Sequence, residues 1–294
     1  MSSPIRDRHR FVHSRLISSL RSVIKALALC ASSLVAMSAH AEDPAWWPKP
    51  APRVSEDVLR AEILVLYAAF DTRLRIDNSA ALQGTEIAGE DDLGLQASQT
   101  LAQGELTLLP GDHHLVRLSG LSSHRSASRY IEKEIVFDDQ TYLVGERVDS
   151  ELNLTMVGLT YGYRFLVRDR AELTGTFGIQ VAQVQANALV RSRVLRDAES
   201  GVAPLPLVGL EGRYDMSTRW SIEGRAQYLS VNIDDVDGSI LDWRLGLTWR
   251  SNPHWVFGLG YRQFNVNVDS KNGSTPGFVD FTIGGPMLFM RASL

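Results

Sequence analysis

The sequence predicts an all-β fold: a closed antiparallel up-and-down transmembrane β-barrel of ten strands, with eight as the alternative count. Three observations predict it. Apolar and polar residues alternate through the second half of the chain, as in 241–250. There Leu241, Trp243, Leu245, Leu247 and Trp249 share one face, and Asp242, Arg244, Gly246, Thr248 and Arg250 share the other. Successive side chains of a strand point to opposite faces, so this segment has one greasy and one ionic side. Four short polar turns separate such segments, and Trp and Tyr crowd the turn-proximal ends of the greasy side. Apolar outside and polar inside is the pattern of a barrel in lipid; a soluble sandwich would instead tuck the greasy side beneath a second sheet and leave the arginines to solvent.

The first 25 residues carry Arg6, Arg8, Arg10, Arg15, Arg21 and Lys25 against the single acid Asp7. An apolar stretch follows at 26–37, then Ser38-Ala39-His40-Ala41, with small residues at the two positions a signal peptidase reads. We read 1–41 as an export signal cut after Ala41, in preference to a mitochondrial presequence, because it has a distinct apolar core and an Ala-His-Ala site. Cys30 is the one cysteine of the chain and falls within this signal, so the exported chain is expected to form no disulfide and to hold no thiolate metal site. The remainder has 24 basic and 33 acidic residues, a net charge of −9 with His neutral, which argues against nucleic acid as a partner. No apolar run is long enough for a helical membrane span.

Residues 42–57 hold Pro44, Trp46, Trp47, Pro48, Pro50 and Pro52, a Pro/Trp-rich leader expected to lie in the periplasm. The barrel is expected over 58–294. Its tight turns are Pro110-Gly111-Asp112, Arg168-Asp169-Arg170, Asp215-Met216-Ser217-Thr218 and Ser251-Asn252-Pro253-His254. Four such turns and two free ends give five hairpins. The expected strands are 62–76, 100–109, 115–131, 151–167, 171–190, 205–214, 220–233, 241–250, 255–268 and 278–294. The longer loops fall between them on the other side, at 77–99, 138–148, 191–203, 234–238 and 269–276. Several strands exceed the ~9–11 residues that cross an apolar layer, so their far ends are expected to project beyond it.

Alternation assigns the faces. Leu173, Phe177, Ile179 and Val181 face out on the fifth strand, with Glu172, Thr174, Thr176 and Gln180 in. Trp220, Ile222, Ala226 and Tyr228 face out on the seventh, with Ser221, Glu223, Arg225 and Gln227 in. Val157, Leu159, Tyr161, Tyr163 and Phe165 face out on the fourth, with Thr160 and Arg164 in. The phase slips near Met156 and Leu229, which reads as β-bulges. Tyr163, Phe165, Tyr214, Trp220, Trp249 and Trp255 lie close to the short turns, as a lipid-interface girdle would.

The last segment, Met287-Leu288-Phe289-Met290-Arg291-Ala292-Ser293-Leu294, alternates in the phase Leu288, Met290, Ala292, Leu294. With the signal and the hairpins, it resembles the small outer-membrane β-barrels of Gram-negative bacteria, of the OmpA/OmpW type. The resemblance spans about 58–294. It implies an outer-membrane location, contact with outer-membrane lipid and lipopolysaccharide, and recognition of the last strand by the barrel-assembly machinery. That group usually ends on Phe, and this chain ends on Leu294.

The inward-facing charges are Glu105, Arg117, Arg164, Glu172, Glu211, Arg213, Glu223, Arg225, Arg244 and Arg250. Both signs occur in comparable number, so they are expected to pair across a narrow lumen as a polar core. A selective pore would show one dominant sign. Histidine-dependent barrel enzymes have a weak parallel here. His113, His114 and His254 sit at turns, and only His124, in Ser122-Ser123-His124-Arg125-Ser126, could reach the outer half of the wall. The acidic clusters Glu90-Asp91-Asp92, Asp138-Asp139 and Asp234-Asp235-Val236-Asp237-Gly238 are expected to be solvated turns; divalent cations bound in the outer loops are the alternative. No phosphate-cradling loop, HExxH or Cys/His set is present. The sequence therefore predicts no catalytic residue, no cofactor and no metal. It points to a non-enzymatic role in envelope integrity or surface interaction, with the surface ligand unspecified. A narrow porin-like passage for small solutes is the alternative, and an enzyme acting on lipid or peptide is the third reading.

Overall fold

A computed structural model describes residues 58–77, 84–130, 132, 134–137, 140–142, 144–190, 195–233, 236–270 and 276–293. The expected signal (1–41) and leader (42–57), and the pairs Asp138-Asp139 and Asp234-Asp235, lie outside the described residues. Ten strands form the barrel: β1 Leu59–Ile76, β2 Ser98–Leu108, β3 His114–Tyr130, β4 Arg147–Val167, β5 Ala171–Val190, β6 Leu195–Asp215, β7 Trp220–Ile233, β8 Val236–Arg250, β9 Trp255–Ser270 and β10 Gly277–Ser293. Each is antiparallel to its sequence neighbours, and β10 closes on β1 from Arg60↔Ser293 to Ile76↔Gly277. Closure removes the free sheet edges an open sheet would expose. The described residues contain no helix.

The four short turns stand where alternation breaks. At the first, Gly111 adopts φ +73°, a left-handed conformation that a side chain disfavours. The opposite loops are more structured than expected. Ile87–Ala88 bridges to β1 at Leu74 and Arg73, and Ile135–Phe137 pairs with Gln140–Tyr142 as a small hairpin. Most of the expected loop 191–203 is strand: β6 begins at Leu195 and pairs with β5 up to Val190.

The expected bulges at Met156 and Leu229 are absent. Pairing runs without a shift through Met156 on both sides and through Leu229 on the β8 side, while on the β6 side the ladder ends at Tyr228↔Val208, one residue before Leu229; the one irregularity on β4 falls between Arg164 and Leu166. The slip has another cause. Toward the turns, apolar residues face out and polar residues face in: Val157, Leu159 and Tyr161 are exposed, and Thr160 is buried. Toward the loops the sides exchange. Leu154 and Met156 are buried, and Thr155 is exposed. The same exchange occurs on β7, where the outward positions beyond Tyr228 are Ser230 and Asn232 and Leu229 turns inward. The backbone keeps its register; what changes is the medium outside the wall. The turn-side half carries an apolar belt, and the loop-side half is wetted outside and must bury its apolar side chains inside.

Candidate functional site

The lumen is filled in layers, each supplied by the same inward positions on successive strands. The layer nearest the turns is ionic. Glu62 of β1, Glu105 of β2, Glu211 of β6 and Glu223 of β7 meet Arg117 of β3, Arg225 of β7, Arg244 of β8 and Arg291 of β10. Arg117 grips both oxygens of Glu211 at 2.5 and 2.8 Å. Arg225 binds Glu105 at 2.6 Å, with Arg117 at 3.6 Å and Arg244 at 3.7 Å from the same carboxylate. Glu62 bridges Arg244 at 2.8 Å and Arg291 at 2.6 Å, and Arg291 reaches on to Glu223 at 2.7 Å. Four positive and four negative charges thus form one connected, neutral cluster. Each guanidinium spans the lumen to a carboxylate on a distant strand, a geometry suited to its planar fork of donors.

A second pair sits beside it. Arg262 on β9 clasps Asp242 on the adjacent strand at 3.1 and 2.8 Å and also donates to Gln103, whose amide donates to Glu105 at 2.8 Å. Below the network, at the turn end, a cavity of about 80 Å³ is bounded by Arg60, Thr107, Leu115, Glu172, Arg213 and the cluster itself.

Above the ionic layer the lumen is apolar. Leu64, Leu66, Ala68 and Phe70 of β1 pack with Leu101, Leu154, Met156, Leu207, Ile240, Phe264, Ile283, Met287 and Phe289. The ring tip of Phe289 sits against Gly258: a Cβ there would come within 2.1 Å of its Cζ. The rings and aliphatic chains are thereby drawn close to the wall, and two guanidiniums, Arg244 and Arg291, rest on the edge of this layer at 5.8 and 5.6 Å from the Phe289 centroid.

A third layer closes the loop end. The segment after Ile87–Ala88 folds inward, with Ile87 and Leu95 buried. Glu90 accepts from the Thr72 amide at 2.9 Å and hydroxyl at 2.8 Å, and from Arg125 at 2.7 Å. Arg125 is 1% exposed and stacks over Phe70 at 4.1 Å. Glu90 of the Glu90-Asp91-Asp92 turn is therefore not solvated as expected, whereas Asp91 is exposed. Glu90 ties a lid to β1 and β3, Asp92 accepts from the Ala88 amide at 2.8 Å, and the Asp91 carbonyl takes a bond of 2.5 Å from Arg129.

Of the ten charges expected in the lumen, Glu105, Arg117, Glu211, Glu223, Arg225 and Arg244 join the central cluster. Arg164 and Glu172 face each other at 3.9 Å on neighbouring strands near the turns, and Arg213 binds Asp215 at 2.8 Å and Ser221 at 3.1 Å. Arg250 is half-buried at the foot of β8, where its amide bonds to the Arg219 carbonyl. Sequence reasoning missed Glu62, Gln103, Arg262 and Arg291 and did not pair Asp242. Arg291 was accessible from the Leu288/Met290 phase. Glu62 was hidden because Ile63-Leu64-Val65-Leu66 is apolar on both faces. Tyr163, Phe165, Trp220, Trp249 and Trp255 are exposed on the outer wall at the turn end, with Tyr214 half-buried among them; Trp249 packs on Phe257 at 6.0 Å. His124 points outward, not into the lumen; its ring meets Asn153, and Glu151 at 3.6 Å.

No family model and no curated protein matches the chain. Among solved structures, it is similar to the outer membrane protease OmpT from Escherichia coli, at 8% identity and a TM-score of 0.55, over 84% of this chain and 99% of that one. Weaker likenesses are to the attachment invasion locus protein Ail of Yersinia pestis, 11% identical with a TM-score of 0.32 over 80% of this chain and 99% of that one, and to the transport unit of the autotransporter AIDA-I from Escherichia coli, 8% identical with a TM-score of 0.44 over 83% and 93%. The likeness to OmpT is one of fold: the chain has the architecture of an outer-membrane β-barrel.

Proposed function

We propose that this chain is an outer-membrane barrel with a closed axis, acting without catalysis in envelope integrity or surface interaction. The observation that carries this reading is the stacking of three seals in one lumen: the neutral Arg–Glu cluster, the apolar layer and the Arg125–Glu90 lid. An ion following the axis would have to displace buried, fully paired guanidiniums and then cross an apolar constriction. The belt of Leu159, Leu245, Leu259 and Leu288, with Trp220, Trp249 and Trp255 at its turn-side margin, suits insertion in lipid; charge-free apolar positions this exposed suit little else. The loop-side half of β3 and β4 rises beyond that belt as a polar wall of Ser122, Ser126, Ser128 and Thr155, and there a surface ligand would be met. Contact of the belt with outer-membrane lipid and lipopolysaccharide, and recognition of β10 by the assembly machinery, belong to the same proposal.

The cavity at the turn end favours a second reading, a narrow passage for small solutes. Reconstitution in planar bilayers separates the two. The closed-axis reading expects a silent membrane with protein whose gel mobility shifts on boiling. Steady, large conductance from the same preparation would overturn it.

A further inference from the structure

The wall is not laddered to its full height. β5 and β6 pair without interruption from Ala171↔Tyr214 to Val190↔Leu195, but β6 and β7 pair only from Ser221↔Asp215 to Tyr228↔Val208. Above that rung β6 continues through Leu195 and β7 through Ile233, with no β6–β7 rung among the described residues. The sequence supplies the cause. The Asp215 amide donates to Arg170, toward β5, so odd-numbered amides of β6 point to β5 and even-numbered ones to β7. The next two positions that should donate to β7 are Pro206 and Pro204, and proline has no amide hydrogen. Two successive rungs are lost on the same side, opposite Ser230 and Asn232, while the β5 side keeps all of its donors.

The seam lies at a telling height. Directly below it on the outer wall are Val208 and Leu210, exposed at the top of the apolar belt. Directly behind it are Leu205, Leu207 and Leu229, part of the apolar lumen layer. Greasy surface outside therefore ends one rung below an unzipped edge that carries Pro204, Pro206, Ser230 and Asn232 on its outer face and apolar side chains on its inner one. The comparable gap between β2 and β3, whose ladder stops at Gln103↔Leu121, is bridged: Gln99 bonds Ser123 at 3.0 Å and the His124 carbonyl at 3.1 Å, and Arg125 holds the lid beside it. We infer that the β6–β7 seam is a lateral portal through which an acyl chain of an outer-leaflet lipid reaches the apolar upper layer of the lumen. Adjacency to the lipid-facing belt selects an acyl chain as occupant. The prolines select against an added protein strand, because they remove the donors that strand would need. The inference rests on the membrane reading above and adds a binding surface to it.

The test uses the full chain with Cys30→Ser in phosphatidylethanolamine–phosphatidylglycerol vesicles carrying a photoactivatable diazirine on the acyl chain, with labelled residues mapped by mass spectrometry. Label is expected at outward Val208 and Leu210 and also at inward Leu205, Leu207 and Leu229. Pro204→Val with Pro206→Val restores both donors and is expected to lose the inward label while keeping the outward one. A Pro206→Cys/Ser230→Cys disulfide closes the seam independently and is expected to do the same, with reduction restoring the inward label. Inward positions that stay unlabelled while Val208 and Leu210 label would overturn the portal alone. Inward label that survives both closures would also overturn it, as would a cross-link joining two chains through residues 195–207. Failure of Val208 and Leu210 to label would overturn the membrane reading and the portal with it.

Discussion

Glu105 is buried beside three guanidiniums, the nearest, Arg225, at 2.6 Å. Burying each charge costs several kcal/mol, and the mutual attraction of well-matched partners offsets that cost only while both are present. Glu105→Leu should therefore destabilise the folded barrel by about 3–5 kcal/mol in urea titrations from vesicles, because it strands Arg225. Glu105→Leu with Arg225→Leu should recover most of that loss, and a double variant weaker than either single one would refute the pairing. Gly258 makes a steric version of the same argument. A methyl group there meets Phe289, so Gly258→Ala should cost about 1–3 kcal/mol. In a Phe289→Ala background the same change should cost almost nothing. Equal costs in the two backgrounds would mean that the glycine serves the backbone and not the ring.

On each strand the alternation is a record of two boundaries, the wall and the belt edge, and only the first was legible as such. Ten strands, four tight turns, the outward faces of β4, β5 and β7 and six of the cluster charges could be read from period-two alternation, because pleating makes side-chain direction a local property. The exchange of sides at Met156 and Leu229 was visible but ambiguous, since a bulge and a change of outer medium leave the same trace in sequence. The lid was illegible: Glu90 sits in a run of acids, and its partner Arg125 is 35 residues away. The two explanations of the exchange make different predictions. Leu159 faces the belt and Thr155 lies just beyond it on the same face. Leu159→Arg should weaken folding into bilayers by about 2–4 kcal/mol, and Thr155→Arg by about 0–1 kcal/mol. Tryptophan-monitored folding titrations measure both, and equal penalties would place the belt edge elsewhere.

Across the two lower layers, the polarity of the filling is opposite to that of the surroundings: ions inside the apolar belt, and hydrocarbon inside the wetted half that begins above it, with the Arg125–Glu90 lid capping that hydrocarbon. The lower seal excludes a passing ion by its pairing and the upper one by its dryness, and the two stand in series. Resistance in series has a consequence for variants. Releasing the lid with Glu90→Ala removes the partner of Arg125 but leaves Leu64, Phe70, Phe264 and Met287 packed beneath it. Emptying part of the ionic layer with Glu105→Ala and Arg225→Ala leaves the same apolar layer above. Each change alone should leave planar bilayers silent, and only removing bulk from the apolar layer together with the ionic pair should admit current. Phe70→Ala and Phe289→Ala combined with Glu105→Ala and Arg225→Ala is that variant, with boiled and unboiled gel mobility as the check that it has folded. Current from the lid variant alone would show that neither the apolar layer nor the ionic cluster seals. The barrel would then be a gated passage in which Arg125 and Glu90 form the gate.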